Sequence, residues 1–123
     1  MNKICTSVEQ SKKLIELGID IKTADMYYSY DYNIEEYDDD VQIIPQSELG
    51  QHFSLFPEDI LAWSLTALLG LIPKPLLGQH LESGYWECTA WEDFNAVKEV
   101  HGQDNPLDAA FEMVCLLKEN GKI

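Results

Sequence analysis

Apolar and polar positions along the chain change period several times, and each change marks an element. Thr6-Ser7-Val8-Glu9-Gln10 offers two overlapping capping boxes, Thr6 with Glu9 and Ser7 with Gln10. Val8, Leu14, Ile15 and Leu17 then share an inward face, and Gly18 supplies a C′ stop, so the spacing predicts a helix over 7–17. Alternation follows. Met26, Tyr28, Tyr30 and Tyr32 fall on one face of a strand, with Tyr27, Ser29 and Asp31 on the other. A polar, acidic loop over 33–40 separates it from Val41-Gln42-Ile43-Ile44, a second strand closed by Pro45. The two read as a hairpin with a long loop.

Residues 46–59 read as irregular, broken by Gly50 and Pro57. Residues 60–72 are apolar almost all round and predict a buried helix, capped by Ser64 or beginning earlier near Glu58, and ended by Pro73-Lys74-Pro75. The stretch 76–100 alternates again. Trp86, Cys88 and Ala90 oppose Tyr85, Glu87, Thr89 and Trp91, while 93–98 fits either a further strand or a helix. The last helix has the fullest signature. Asn105 is an N-cap, Pro106 sits at N1, and Asp108 lies in the first turn. Leu107, Ala110, Phe111, Val114 and Leu117 form its stripe, Lys118 and Lys122 lie near its end, and Gly121 provides the exit. No internal repeat or low-complexity linker interrupts the chain.

The order is α-β-β-α-β-β(-β)-α. Strand groups separated by single helices predict one α+β domain over 1–123: two layers, with a small antiparallel or mixed sheet of four or five strands packed against about three helices. At 14.0 kDa such a fold exposes roughly 6,700 Å².

Composition changes the picture through charge. Twenty-two acidic residues stand against 8 basic ones, all Lys, for a net charge of −14. A small soluble domain usually carries a charge of magnitude about 2–8. Without Arg forks or a basic stripe the chain is a poor binder of a phosphate backbone or an anionic membrane surface. The longest uncharged apolar stretch, 60–73, is too short to span a bilayer, and residues 1–7 lack the apolar core of a signal peptide. Three widely spaced cysteines, Cys5, Cys88 and Cys115, match no disulfide framework and read as reduced, buried thiols. The expected location is the cytoplasm.

The charge is concentrated. Between Thr23 and Pro73 there are ten acidic residues and no Lys; the other 72 residues hold twelve acids and eight Lys. The densest run comprises Asp31, Glu35, Glu36, Asp38, Asp39 and Asp40, close to Tyr27, Tyr28, Tyr30, Tyr32 and Tyr37. A solvated loop that keeps the protein soluble accounts for such a run, since charge runs are usually solvated faces. A recognition surface for a basic protein is the second reading. Carboxylates imitate phosphates, and Tyr supplies stiff amphipathic anchors. The candidate protein-binding residues are Tyr27, Tyr30, Asp31, Tyr32, Glu35, Glu36, Tyr37, Asp38, Asp39 and Asp40. A calcium loop starting at Asp31 fails, because its sixth and twelfth positions are Glu36 and Gln42 rather than Gly and Glu.

Catalytic and metal signatures are weak. His52, His80 and His101 form no close ligand pair, no Cys-x-x-Cys occurs, and the seven Gly are scattered, so neither a zinc site nor a phosphate loop is expected. Cys88 with His80 could meet across a hairpin as a nucleophile pair, but no oxyanion-hole pattern accompanies them. Trp63, Trp86 and Trp91 read as core or half-buried aromatics, with Trp91 the one to check for exposure. No cofactor is expected.

The segments 62–69 (Ala-Trp-Ser-Leu-Thr-Ala-Leu-Leu) and 105–112 (Asn-Pro-Leu-Asp-Ala-Ala-Phe-Glu), with the capped first helix and Thr23-Ala24-Asp25-Met26, resemble a family of small uncharacterised proteins from phage, prophage and mobile elements of anaerobic gut bacteria. The resemblance spans most of the chain, but its motifs are caps and core faces. It implies a cytoplasmic accessory protein acting on a host or phage protein, and it assigns no activity and no functional residue. The expectation is therefore a non-enzymatic acidic domain that binds an unidentified, basic or nucleic-acid-binding protein. The alternatives are a small enzyme or ligand-binding domain with a pocket between the sheet and helix 60–72, or a structural assembly component.

Overall fold

The computed structural model describes residues 4–38, 40–51, 57–92 and 95–123, with side chains omitted for 92 and 95–97. The first helix, α1 (Val8–Glu16), uses only the second capping box: the Gln10 amide donates to Ser7 Oγ at 3.1 Å, and the Ser7 amide donates to Gln10 Oε1 at 3.0 Å. Gly18 exits the helix at φ +87°, as a C′ position requires. One expectation for α1 fails. Ile15 is 40% exposed, while Ser11, a polar residue, is fully buried.

Ser11 is inside because Thr6 is. The two hydroxyls are 2.8 Å apart, and Thr6 Oγ1 accepts from the Trp63 amide at 3.0 Å. The Thr6 amide in turn donates to the Trp63 carbonyl at 2.9 Å. The predicted cap Thr6 is thus spent on satisfying buried backbone, as a dry interior demands.

The strands follow as β1 (Met26–Tyr28), β2 (Tyr30–Asp31), β3 (Glu36–Tyr37), β4 (Gln42–Ile43) and β5 (Ile60–Ala62). The expected pairing of the two strand segments is present: Met26 opposes Ile43 and Tyr27 opposes Gln42, antiparallel. The long alternating segment is interrupted at Ser29, however, so β2 leaves the sheet and pairs with β3 in a small hairpin of its own.

The main correction concerns 60–72. Ile60-Leu61-Ala62 is a strand paired with β1, and only α2 (Leu65–Leu69) is helical. A short apolar run buried on both faces reads alike as helix or inner strand, and here it is strand. Ser64 caps α2, accepting from the Ala67 amide at 3.2 Å.

Downstream, β6 (Pro75–Gln79), β7 (Trp86–Glu92) and β8 (Asn95–Gln103) form an antiparallel sheet. The ambiguous 93–98 stretch takes the strand option from Asn95 onward; Asp93 and Phe94 lie outside the described residues. The helix α3 (Pro106–Glu119) is capped by Asn105 Oδ1, which accepts from the Asp108 amide at 2.8 Å. The fold is α+β. Its described strands are divided among sheets ordered β4-β1-β5, β2-β3 and β6-β7-β8, rather than joined in one sheet of four or five strands.

The core lies where α3 covers one face of β6-β7-β8, with α2 against α3 and α1 against β5. Trp63, Leu14, Leu68, Leu107, Met113, Val114, Leu117 and Cys88 are fully buried there. Each such large side chain contributes roughly 1.5–3 kcal/mol by leaving water. The predicted stripe of α3 is buried throughout. Among the described residues no helix is long and apolar enough to cross a membrane. The accessible surface is 7802 Å², above the value expected for this mass.

Candidate protein-binding surface

Three tyrosines come together on the β2–β3 hairpin. Tyr30 opposes Tyr37 in register, and Tyr32, two residues on, shares their face. The Tyr30 ring meets both Tyr32 and Tyr37 edge-on, each at a centroid distance of 5.2 Å. That is the preferred geometry for aromatic pairs and stiffens all three rings. Tyr32 remains 59% exposed, and its neighbour Ile34 61%.

The hairpin is tethered rather than loose. The Tyr30 amide donates to Asp59 Oδ1 at 2.8 Å, just before β5, and the Asp38 amide donates to the Ser29 carbonyl at 2.8 Å. Lys12 of α1 lies 5.6 Å from the centre of the Tyr37 ring, a cation–π contact that sets the hairpin against the first helix.

The turn between the strands gathers the carboxylates. Asp31 Oδ1 accepts from the Asn33 amide at 2.8 Å, an Asx turn, and Glu35 takes a left-handed conformation at φ +55°. Glu35, Glu36, Asp38 and Asp40 are exposed, and Asp31 is half-buried. Asp31 and Glu36 stand directly opposite each other across the pair. Two like charges in that position disfavour the hairpin by themselves.

Nine of the ten predicted site residues can be placed. Tyr30, Asp31, Tyr32, Glu35, Glu36 and Tyr37 share the hairpin, with Asp38 and Asp40 following it. Tyr27 stands apart: it lies in β1 between Gln42 and Leu61 and packs against the main core. Asp39 lies outside the described residues, as does His52. Tyr28 is half-buried and its hydroxyl points inward. Its hydroxyl donates to the Thr6 carbonyl at 2.9 Å and lies 3.4 Å from Cys5 Sγ, and burial pushes its pKa well above the usual phenol range.

Two further groupings escaped the sequence pattern. The first is a cleft of about 260 Å³ lined by Asp25, Met26, Ile43, Ile44, Leu49 and Ser64. Asp25 accepts from the Ser64 amide at 2.8 Å and from the Ser64 hydroxyl, which fixes its carboxylate on the cleft wall. The second lies on the face of β6-β7-β8 away from α3. Glu87 Oε2 is 2.8 Å from His101 Nδ1 and 3.5 Å from His80 Nε2, and His101 Nε2 is 3.9 Å from Glu99. Strand order alone brings these residues together, so no spacing rule finds them.

That placement also separates the conceivable nucleophile pair. Cys88 is fully buried on the α3 side, and burial pushes its thiol up to about 11, whereas His80 is exposed beside Glu87. A neutral buried thiol away from its base cannot serve as a nucleophile. All three cysteines are buried thiols. Trp91 is half-buried. Among the described residues no group of three or more His, Cys, Asp or Glu is arranged to hold a metal ion.

Comparison with protein-family models, with curated proteins and with solved structures returns no match for this chain.

Proposed function

We propose that this protein is a non-enzymatic accessory domain that binds a basic or nucleic-acid-binding protein through the β2–β3 hairpin, and that it works in the cytoplasm of a cell carrying a phage or mobile element. The observation that carries the binding reading is the tyrosine triad of Tyr30, Tyr32 and Tyr37, held edge to face on a tethered hairpin and bordered by exposed carboxylates. Rigid aromatics lose little entropy on binding and anchor interfaces, while surrounding charges of one sign raise the rate of encounter with a cation-rich partner. A loop serving solubility alone has no need of ordered rings or of two carboxylates placed opposite each other. The origin in a mobile element rests on the resemblance of 62–69 and 105–112.

The alternative of an enzyme or ligand pocket beside 60–72 has a cleft to consider, but the carboxylate on its described wall, Asp25, already takes two donors from Ser64. That arrangement suits a wall better than a general base.

The test is capture by the immobilised chain from the native cell, before and after induction of the resident element. The comparison chain carries Glu35→Gln, Glu36→Gln, Asp38→Asn and Asp40→Asn. A basic protein retained by the first and lost by the second is expected. An identical captured set from both chains contradicts the proposal.

A further inference from the structure

The three-stranded sheet β4-β1-β5 has two edges of different character. The β5 side is closed by the N-terminal segment, where Cys5 bridges Ser64 and the Thr6 amide donates to the Trp63 carbonyl. Along the β4 side no described strand is paired. The hydrogen-bond phase shows which groups it presents. The Ile44 amide donates to the Asp25 carbonyl at 3.0 Å, so the pair Asp25–Ile44 is a hydrogen-bonded one. Antiparallel ladders alternate, so the N–H and C=O of Ile43, and by the same phase of Val41, point away from β1.

An unpaired edge is a template for another strand, and proteins normally guard it with Lys, Pro or a bulge. Neither Gln42 nor Ile43 is such a guard; only Pro45, lacking an N–H, limits how far a partner strand can run. Ile43 is 74% exposed and Leu49 42%, and both line the 260 Å³ cleft with Met26 and Ile44. Edge and apolar pocket are therefore adjacent.

We infer that the outer edge of β4 and this cleft form a docking groove for an extended segment of a partner protein, with apolar side chains alternating with Lys or Arg, added to the sheet as a further strand. The inference rests on the proposed function for the basic character of the partner. Backbone bonds to Val41 and Ile43 supply the alignment, and an apolar side chain enters the cleft. Charge selects the occupant. The groove lies in the segment from Thr23 to Pro73, which has ten acidic residues and no Lys; Asp25 lines the cleft, Glu48 adjoins its Leu49, and Asp40 precedes Val41 on the edge. A second copy of the chain would set the same acidic edge against itself, which like-charge repulsion opposes.

The experiment is selection from a random peptide library displayed on phage, against the full-length chain and against two variants. Ile43→Pro removes the outward N–H without touching the ladder to β1, and Leu49→Lys places a cation in the cleft. Circular dichroism establishes that each variant is folded. Enriched peptides with apolar residues at alternate positions and Lys or Arg between them are expected. Their affinity by fluorescence anisotropy should fall on the order of tenfold in each variant. Binding unchanged in both variants, enrichment of acidic or non-alternating peptides, or no enrichment overturns the inference. So does light scattering that shows a dimer abolished by Ile43→Pro, since a second copy then fills the groove. A chain with Glu35→Gln, Glu36→Gln and Asp38→Asn, which keeps Asp40 beside the groove, separates the two readings. Peptide binding that depends on the hairpin substitutions and not on Ile43 or Leu49 removes the groove and leaves the proposed function standing. Peptide binding at the groove with no basic protein lost by the hairpin variant does the reverse.

Discussion

Asp25 and Ser64, thirty-nine residues apart, are joined by two hydrogen bonds: one carboxylate accepts both the amide and the hydroxyl of Ser64. Ser64 is also the N-cap of α2, accepting from the Ala67 amide. The pair therefore couples the start of β1 to the start of α2, and through the Asp25 carbonyl to β4. Asp25→Ala strips both Ser64 donors of their acceptor and should cost about 1–3 kcal/mol, read from the urea midpoint. Asp25→Asn keeps one acceptor oxygen and should lose less. Equal losses from the two substitutions would contradict this account of the joint.

On the hairpin, Asp31 and Glu36 are direct cross-strand partners. Glu36→Lys replaces a like-charge pair by an opposite one. Stability should rise by roughly 0.2–1 kcal/mol in low salt, with the gain shrinking as salt is added. A stability loss would mean that Glu36 has a folding role the geometry does not give it.

Thr6 serves two buried donors or acceptors at once, the Trp63 amide and the Ser11 hydroxyl. Thr6→Val preserves shape but leaves the Trp63 amide without its acceptor, for an expected loss of about 1–3 kcal/mol. Ser11→Ala leaves the Thr6–Trp63 bond in place and should cost less. A double-mutant cycle should show the two effects to be non-additive.

The buried thiols predict an alkaline limit. Burial pushes both Cys88 and Cys115 up to about 11 from an ordinary value of 9.0; at Cys115 the charges of Glu112 and Glu119 add to it and Lys13 opposes it. The folded state then holds these protons where the unfolded chain has released them, so stability falls as pH rises from about 9 to about 11. Equilibrium unfolding across that range should show a steeper fall for the native chain than for Cys88→Ala with Cys115→Ala. In the folded chain both thiols should also resist a disulfide reagent at neutral pH.

Much of the architecture was legible where one local rule acts alone. Asn105, Pro106 and the stripe of α3 define a helix without help from the rest of the fold, and they stand as read. So do the Ser64 cap and the antiparallel pairing of the 26–28 segment with the 41–44 segment, whose register the structure supplies. Reading failed where burial is decided at a distance. Ile60-Leu61-Ala62 is equally apolar as helix or strand, and only its pairing with β1 makes it strand. Ser11 looks like a solvent residue until Thr6 needs a partner inside. The hairpin carboxylates and tyrosines were visible as a run, but the triad depends on β2 leaving the sheet at Ser29. The Asp25 cleft and the Glu87–His101 contact join residues from separate strands, which spacing cannot foresee.

The central claim is that the Tyr30–Tyr37 hairpin, with its carboxylates, recognises a basic protein. The most direct measurement is the salt dependence of affinity for the captured protein, compared between the native chain, the hairpin charge variant and Tyr32→Ala. The account predicts a steep loss of affinity with salt for the native chain, a clearly shallower slope for the charge variant, and a uniform weakening at every salt concentration for Tyr32→Ala. The same slope and the same affinity in all three chains would contradict it.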